Sequence, residues 1–254
     1  MLSFLTFICL VGMILPVSLA NIIAYPISKK LSVKISDYIV RVMAPRLFSV
    51  LKVYSNYSCW TYKETKNNLP DQFLLISNHQ SLFDIPLYMR FLDDKSIRFV
   101  AKDTLGRHIP LVSEMLRAHE HCLVPRKAKP MEAMRYMEEF GKRCIDRNQI
   151  PILFPEGSRT RDGNVGKFYS AGFRKLAEST GLPIVVCALD GGYKLRDLKK
   201  VMTNLKYGCC RVAAIKVYDP PKTKEDCNTI LDESRVLIQN QLEEWRKLPA
   251  NKKY

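Results

Sequence analysis

The first 28 residues contain no Asp, Glu, Lys or Arg, and Lys29, Lys30, Lys34 and Arg41 follow closely. A helix of about 20 apolar residues crosses the roughly 30 Å hydrocarbon core of a bilayer, so this stretch is long enough to span one. A buried core helix would more often show a polar face. A cleaved signal peptide, with Val17-Ser18-Leu19-Ala20 at its end, would carry basic residues ahead of the apolar run. The pattern favours a membrane segment, spanning or half-embedded, with the following cations keeping the bulk of the chain on the cytoplasmic side. Tyr38–Tyr57 intersperses Arg41, Arg46 and Lys52 among aromatic and aliphatic residues. It reads as an amphipathic helix interrupted near Pro45, its cations turned toward lipid phosphates, with a plain surface helix as the alternative.

From about Asn68 the texture changes to short apolar runs: Phe73–Ser77, Ile97–Ala101, Cys122–Val124, Ile150–Phe154, Ile184–Leu189 and Val212–Val217. Each is bounded by Pro, Asn, Gly or charge, as expected of strands covered on both faces. Helical patterns over Met131–Asp146, Ala171–Thr180 and Thr229–Leu248 lie between or after them. The alternation predicts an α/β fold, a mixed sheet flanked by helices behind an N-terminal membrane-associated helical segment. We place the boundary near Thr65, giving a membrane-associated part over 1–64 and a catalytic domain over 65–254.

The 254 residues carry 40 Lys and Arg against 25 Asp and Glu, a net charge of +15. Such a field attracts nucleic acid, anionic lipid or acidic small molecules alike. The 8 cysteines form no C-x-x-C pair and read as reduced structural thiols. His119-x-His121-Cys122 could be drawn as a metal cluster, but no fourth ligand stands at usable spacing, so no metal is expected.

The first chemical candidate follows the first of these predicted strands: Asn78-His79-Gln80-Ser81-Leu82-Phe83-Asp84. A histidine can take a proton from an alcohol near neutral pH, and a carboxylate on its second nitrogen fixes the tautomer. On one continuous helix, five residues advance about 500°, leaving the two side chains roughly 140° apart. The pair therefore meets only if His79 sits in the strand-to-helix turn and Asp84 on the first or second helical turn. With four His and 25 acidic residues, such a pair also arises readily by chance. The second candidate is Phe154-Pro155-Glu156-Gly157-Ser158-Arg159-Thr160-Arg161, again closing an apolar run. Gly157 lets backbone N–H groups approach an anion, Arg159 offers a fork matched to phosphate, and Glu156 could orient that fork or bind a hydroxyl. A surface turn with a Glu–Arg pair is the plain alternative.

Together, Asn78-His79-x-Ser81-x-x-Asp84 and Phe154-Pro155-Glu156-Gly157-Ser158-Arg159 resemble the first and third signature blocks of the glycerolipid acyltransferases. Lys102, Leu105, Pro110 and Arg126 fall in order between them, and the likeness covers roughly 71–189. Ser113 stands where that family commonly has Gly. Tyr169-Ser170-Ala171-Gly172 replaces a frequent Phe-Lys-x-Gly, and Val185-Val186 lacks the usual proline. The resemblance implies acyl transfer from a thioester, on coenzyme A or acyl carrier protein, to a hydroxyl of 1-acyl-glycerol-3-phosphate. It implies His79 as general base oriented by Asp84, with Arg159, Arg126 and Lys102 on the acceptor's phosphate and Glu156, Gly157 and Ser158 completing the binding turn. No cofactor is implied beyond the acyl-carrying co-substrate, and no nucleic-acid partner is expected. Another lysolipid acceptor, or a non-catalytic membrane-anchored lipid- or nucleic-acid-binding protein, remains as the alternative. A thioester hydrolase fits less well, because a basic, phosphate-ready site suits an anionic acceptor better than water.

Overall fold

The computed structural model describes residues 2–107, 109, 112–195, 206 and 208–253, the side chains of 2, 3 and 54 excepted. Pro110 and His108 lie outside the described residues. The charge-free start forms α1 (Leu2–Ile27), long and apolar enough by length and composition to cross a membrane. Its Phe4, Ile23 and Ile27 are among the large hydrophobics it leaves exposed. The polar residues of α1 turn the other way: Asn21 Nδ2 donates to Ser36 Oγ at 3.2 Å and its Oδ1 accepts from Ser32 Oγ at 2.6 Å. Both serines belong to α2 (Lys29–Tyr38), which starts at a Ser28 cap.

The helix expected over Tyr38–Tyr57 is in fact three pieces. α2 ends at Tyr38, Ile39–Met43 form one π-helical turn, and α3 runs over Ala44–Ser55 with Pro45 in its first turn. Pro45 has no N–H to give the carbonyl four residues back, and a π-turn is a usual local response to such a break. Asn56, at φ 52°, ends α3 in the left-handed conformation.

Seven strands make one sheet: β1 (Ser58–Thr61), β2 (Leu74–Ser77), β3 (Ile97–Lys102), β4 (Cys122–Val124), β5 (Ile150–Leu153), β6 (Ile184–Asp190) and β7 (Cys209–Tyr218), in spatial order β1-β7-β6-β2-β5-β3-β4. All neighbours are parallel except β6 and β7, so β1 and β7 run against the other five. The six expected strands are all present. β1 is an addition to them, and it lies ahead of Thr65, so the sheet draws strands from both sides of that position.

Alternation sorts the central strands between two cores. Leu75, Val185, Cys187 and Leu189 join Phe48, Leu51, Tyr88 and Phe99 on the face covered by α3, α4 (Asp84–Phe91) and α5 (Ser113–Ala118). Leu74, Ile76, Ile184 and Val186 join the opposite core beneath α6 (Pro130–Asp146), α7 (Ser170–Thr180) and α8 (Lys224–Lys247). The helices present matching stripes: Met137, Phe140 and Cys144 on α6, and Ile230, Leu231, Ile238, Leu242 and Trp245 on α8. A capping box of Thr223 and Asp226 fixes the start of α8. Val185 and Val186 sit inside β6, where the backbone pairs with β2 on one side and β7 on the other. A proline there would remove a ladder donor.

Candidate active site

Parallel strands share a C-terminal edge, and in open α/β sheets ligands bind there. β2 delivers His79 to that edge, β3 delivers Lys102, β5 delivers the 154–161 segment and β6 ends in Asp190. The strand-to-helix geometry required by the five-residue spacing is realised. His79 lies in the turn after β2, Asp84 is the first residue of α4, and His79 Nδ1 is 2.7 Å from Asp84 Oδ2. The same oxygen accepts the backbone N–H groups of Gln80 at 2.7 Å and Ser81 at 3.0 Å. A carboxylate only accepts, so Nδ1 is the nitrogen that donates to Oδ2, and in the neutral tautomer this contact favours, Nε2 is the one with the free lone pair.

Two further contacts immobilise the turn. Asn78 exchanges a pair of hydrogen bonds with the Leu189 backbone: its Nδ2 donates to the carbonyl at 2.8 Å, and its Oδ1 accepts the N–H at 3.0 Å. The imidazole of His79 stacks on Phe154, centroids 4.3 Å apart and planes at 14°.

The second motif meets the first through its backbone. The carbonyl of His79 accepts the N–H of Thr160 at 2.9 Å. Glu156, buried, accepts the His79 N–H on Oε1 at 2.8 Å and the Gly166 N–H on Oε2 at 3.1 Å. The expected partnership of Glu156 with the fork of Arg159 is thus replaced by one with two peptide groups. Burial pushes the Glu156 carboxyl up from its usual range, although both N–H groups pull the other way. Gly157 has φ 62°, and its N–H closes a turn onto the Phe154 carbonyl at 3.0 Å. Space is open around a Cβ there, so it is the left-handed backbone that calls for glycine.

These elements surround a cavity of about 580 Å³. His79 stands on its wall, with Lys102, Gly157, Ser158, Arg159 and Arg161 at the polar side, and Leu105, Val124, Met137 and Phe173 among the apolar lining. Arg126 is placed elsewhere: it is exposed in the turn after β4, outside the lining, and its backbone N–H donates to Asp103 Oδ1 at 3.2 Å. Lys102 and Arg159 line the cavity as expected, and Arg161 stands on its wall in place of Arg126. The signal for it is present in the sequence, since it stands two residues after Arg159 in one short loop. Ser113, at the position where Gly is usual, is used structurally: Oγ donates to the Leu105 carbonyl at 3.0 Å and accepts the Ile109 N–H at 2.8 Å.

The histidines of the other drawn cluster have separate tasks. His121 Nδ1 accepts the Phe99 N–H at 2.8 Å, and His119 Nε2 lies 3.0 Å from Asp37 Oδ1 on α2. Burial holds both imidazoles below their usual range. All eight cysteines are free, and burial pushes the thiols of Cys122 and Cys144 up to about 12, so these two are inert at neutral pH.

The fold and the site together define an α/β protein with a histidine–carboxylate pair beside a cationic loop at the carboxyl edge of its sheet. Residues 61–190, a little over half of the chain, match the family model described as Acyltransferase, and the chain belongs to that family. A 1-acyl-sn-glycerol-3-phosphate acyltransferase of Cocos nucifera is 30% identical over 118 residues, which are 46% of this chain and 37% of that protein. The protein of the same name from Helicobacter pylori is 29% identical over 126 residues, 50% of this chain and 52% of the relative. The chain thus spans about half or less of the length of these relatives. The crystal structure of the 1-acyl-sn-glycerophosphate (LPA) acyltransferase PlsC from Thermotoga maritima superposes with a TM-score of 0.64 at 23% identity, covering 97% of this chain and 95% of that one. That likeness is one of fold.

Proposed function

We propose that this chain transfers an acyl group from a thioester, on coenzyme A or acyl carrier protein, to the free hydroxyl of 1-acyl-glycerol-3-phosphate, giving phosphatidic acid and a free thiol. The observation that carries the reading is the 2.7 Å contact between His79 Nδ1 and Asp84 Oδ2 on the wall of a cavity shared with Arg159 and Arg161. Nε2 removes the proton of the acceptor hydroxyl as its oxygen attacks the thioester carbonyl, and Asp84 stabilises the imidazolium. The carbonyl is re-formed as the C–S bond breaks, and the departing sulfur takes the proton back. Attack is direct, with no acyl-enzyme. The acceptor's phosphate is assigned to Arg159, Arg161 and Lys102, whose donors suit a phosphate dianion. The names of the relatives support the same acceptor.

The apolar α1 and the lysines that open α2 fit a membrane-associated protein with its catalytic domain on the cytoplasmic side. There the substrate lipid resides in the leaflet and both acyl donors are anionic. The test is consumption of labelled acyl thioester that depends on added 1-acyl-glycerol-3-phosphate. It should fall by about 10³-fold in His79→Ala while the variant remains folded and bound to vesicles. Undiminished transfer by His79→Ala, or a labelled acyl group retained covalently on the protein, would overturn the mechanism. Faster transfer to a different lysolipid would change the acceptor and leave the chemistry standing.

A further inference from the structure

A run of polar contacts that the proposed chemistry leaves unused connects the C-terminal helix to the His79 turn. Arg246, on the last turn of α8, grips Asp190 at the end of β6 with two prongs: Nε donates to Oδ2 at 3.2 Å and Nη2 to Oδ1 at 3.1 Å. The same guanidinium donates from Nη2 to the Gly163 carbonyl and from Nη1 to Asn164 Oδ1 at 3.1 Å. Its carbon lies 5.5 Å from the centroid of the Tyr193 ring. Asp190 Oδ1 also accepts from Nε2 of Gln80 at 3.0 Å, and that amide reaches the Gly163 carbonyl at 3.3 Å. Gln80 Oε1 accepts the Tyr193 N–H at 3.2 Å. Gln80 is fully buried, and its own N–H is one of the donors on Asp84 Oδ2.

The cation therefore reaches the dyad's carboxylate through two residues, and the arginine-bearing loop directly, at the Gly163 carbonyl and the Asn164 side chain. An exposed ion pair contributes little to stability, but this one is bidentate, its carboxylate is buried, and its further contacts run to Gln80 of the histidine turn and to Gly163 and Asn164 of the arginine-bearing loop. Gly163 is the shared point, since both Arg246 and Gln80 donate to its carbonyl. A displacement at either would move the 157–166 loop relative to His79.

We infer that Arg246 is a positioning residue: through Asp190 and Gly163 it sets the placement of the His79–Asp84 pair against the loop that carries Arg159 and Arg161. Its kinetic consequence rests on the acyl-transfer reading. Its structural consequence does not.

The test compares Arg246→Ala, Arg246→Lys and Asp190→Asn in the 254-residue chain in detergent micelles, with thermal unfolding as the control for folding. Asp84 and Glu156, which contact the histidine turn, and Lys102, Arg159 and Arg161 on the cavity wall are unchanged in all three. Arg246→Ala should lower kcat by about 10²-fold, the loss that a misplacement near 1 Å causes, with a smaller change in KM. Arg246→Lys should recover part of it, because an ammonium still pairs with Asp190. The His79 ring resonances in a histidine-labelled sample, assigned with His79→Ala, should move in Arg246→Ala and return toward the wild-type position in Arg246→Lys. A folded Arg246→Ala protein with unchanged kcat and unchanged His79 resonances overturns the inference and leaves acyl transfer standing. A wild-type protein that transfers no acyl group, but whose His79 resonances respond to Arg246, overturns the functional reading and supports the inference. If Arg246→Ala does not fold, the Lys and Asp190→Asn variants decide by the same two measurements.

Discussion

Glu156 Oε1 accepts the backbone N–H of His79 at 2.8 Å, so a residue of the second motif holds the main chain of the first. The carboxylate acts on the base without touching its ring. Its other oxygen takes the Gly166 N–H, which makes Glu156 the internal brace between the histidine turn and both ends of the arginine loop.

Glu156→Gln tests that brace. The amide keeps one acceptor and turns an NH₂ toward one of the two N–H groups, and an unmet buried donor costs about 1–3 kcal/mol. A fall in kcat of about tenfold is expected, since about 1.4 kcal/mol corresponds to that factor. Stability should also change with pH in a defined direction. Burial raises the folded-state value of Glu156 above the ordinary 4.5, so the folded protein holds this proton more tightly than the unfolded chain. The associated stabilisation is complete below about pH 4.5 and is lost as pH rises through the folded value. Melting curves between pH 4 and 7 should therefore show wild type losing ground to Glu156→Gln with increasing pH; parallel Tm profiles would contradict this.

Asp84→Asn should reduce kcat by about 10³ to 10⁴-fold, because the amide no longer fixes the tautomer that leaves Nε2 free. Asp84 also accepts two peptide N–H groups, so a drop in Tm is expected with it. Normal turnover by a folded Asp84→Asn protein would remove the carboxylate from the mechanism.

Arg159 and Arg126 should part company. Arg159→Ala removes a cation from the cavity wall and should raise the acceptor KM by about tenfold or more, the range for hydrogen bonds to charged groups. Arg126→Ala, outside the lining, should leave it unchanged. Steady-state kinetics on lysolipid concentration separates the two, and equal effects would place Arg126 back in the site.

Two glycines should fail for different reasons. Gly157→Ala meets open space but keeps φ 62°, at a backbone cost of about 1–2 kcal/mol, visible as a Tm lowered by a few degrees. Gly192→Ala would bring a Cβ to 2.8 Å from Ser81 Oγ and 3.0 Å from Asp84 Oδ1, so its effect should appear in kcat. A Gly192→Ala enzyme of full activity would show that the turn can yield.

The sheet is largely legible in the sequence because its inner strands are short, mostly aliphatic and buried on both faces, as Leu74–Ser77 and Ile150–Leu153 are at every position, Ser77 and Pro151 included. Ser58-Cys59-Trp60-Thr61 is not, because an edge strand needs no such run, and each of its residues is only half-buried. The reversed direction of β7 leaves no trace either, since side-chain alternation is the same whichever way a strand points. In the site, the dyad is legible because both partners lie within five residues and local geometry limits how they meet. The bonds from Gln80 to Asp190 and from Asp190 to Arg246 join three distant stretches, and spacing carries no information about those. Arg126 falls outside the cavity for the related reason that order along the chain does not say which way a loop side chain turns.

One nitrogen of the His79 ring is committed to Asp84 and one ring face lies on Phe154. In the proposed reaction, protons can then enter and leave the imidazole by a single gate. What is taken from the incoming alcohol must be handed out through the same turnstile to the outgoing sulfur, so the two proton transfers are obliged to share one side of the ring and to occur in strict succession.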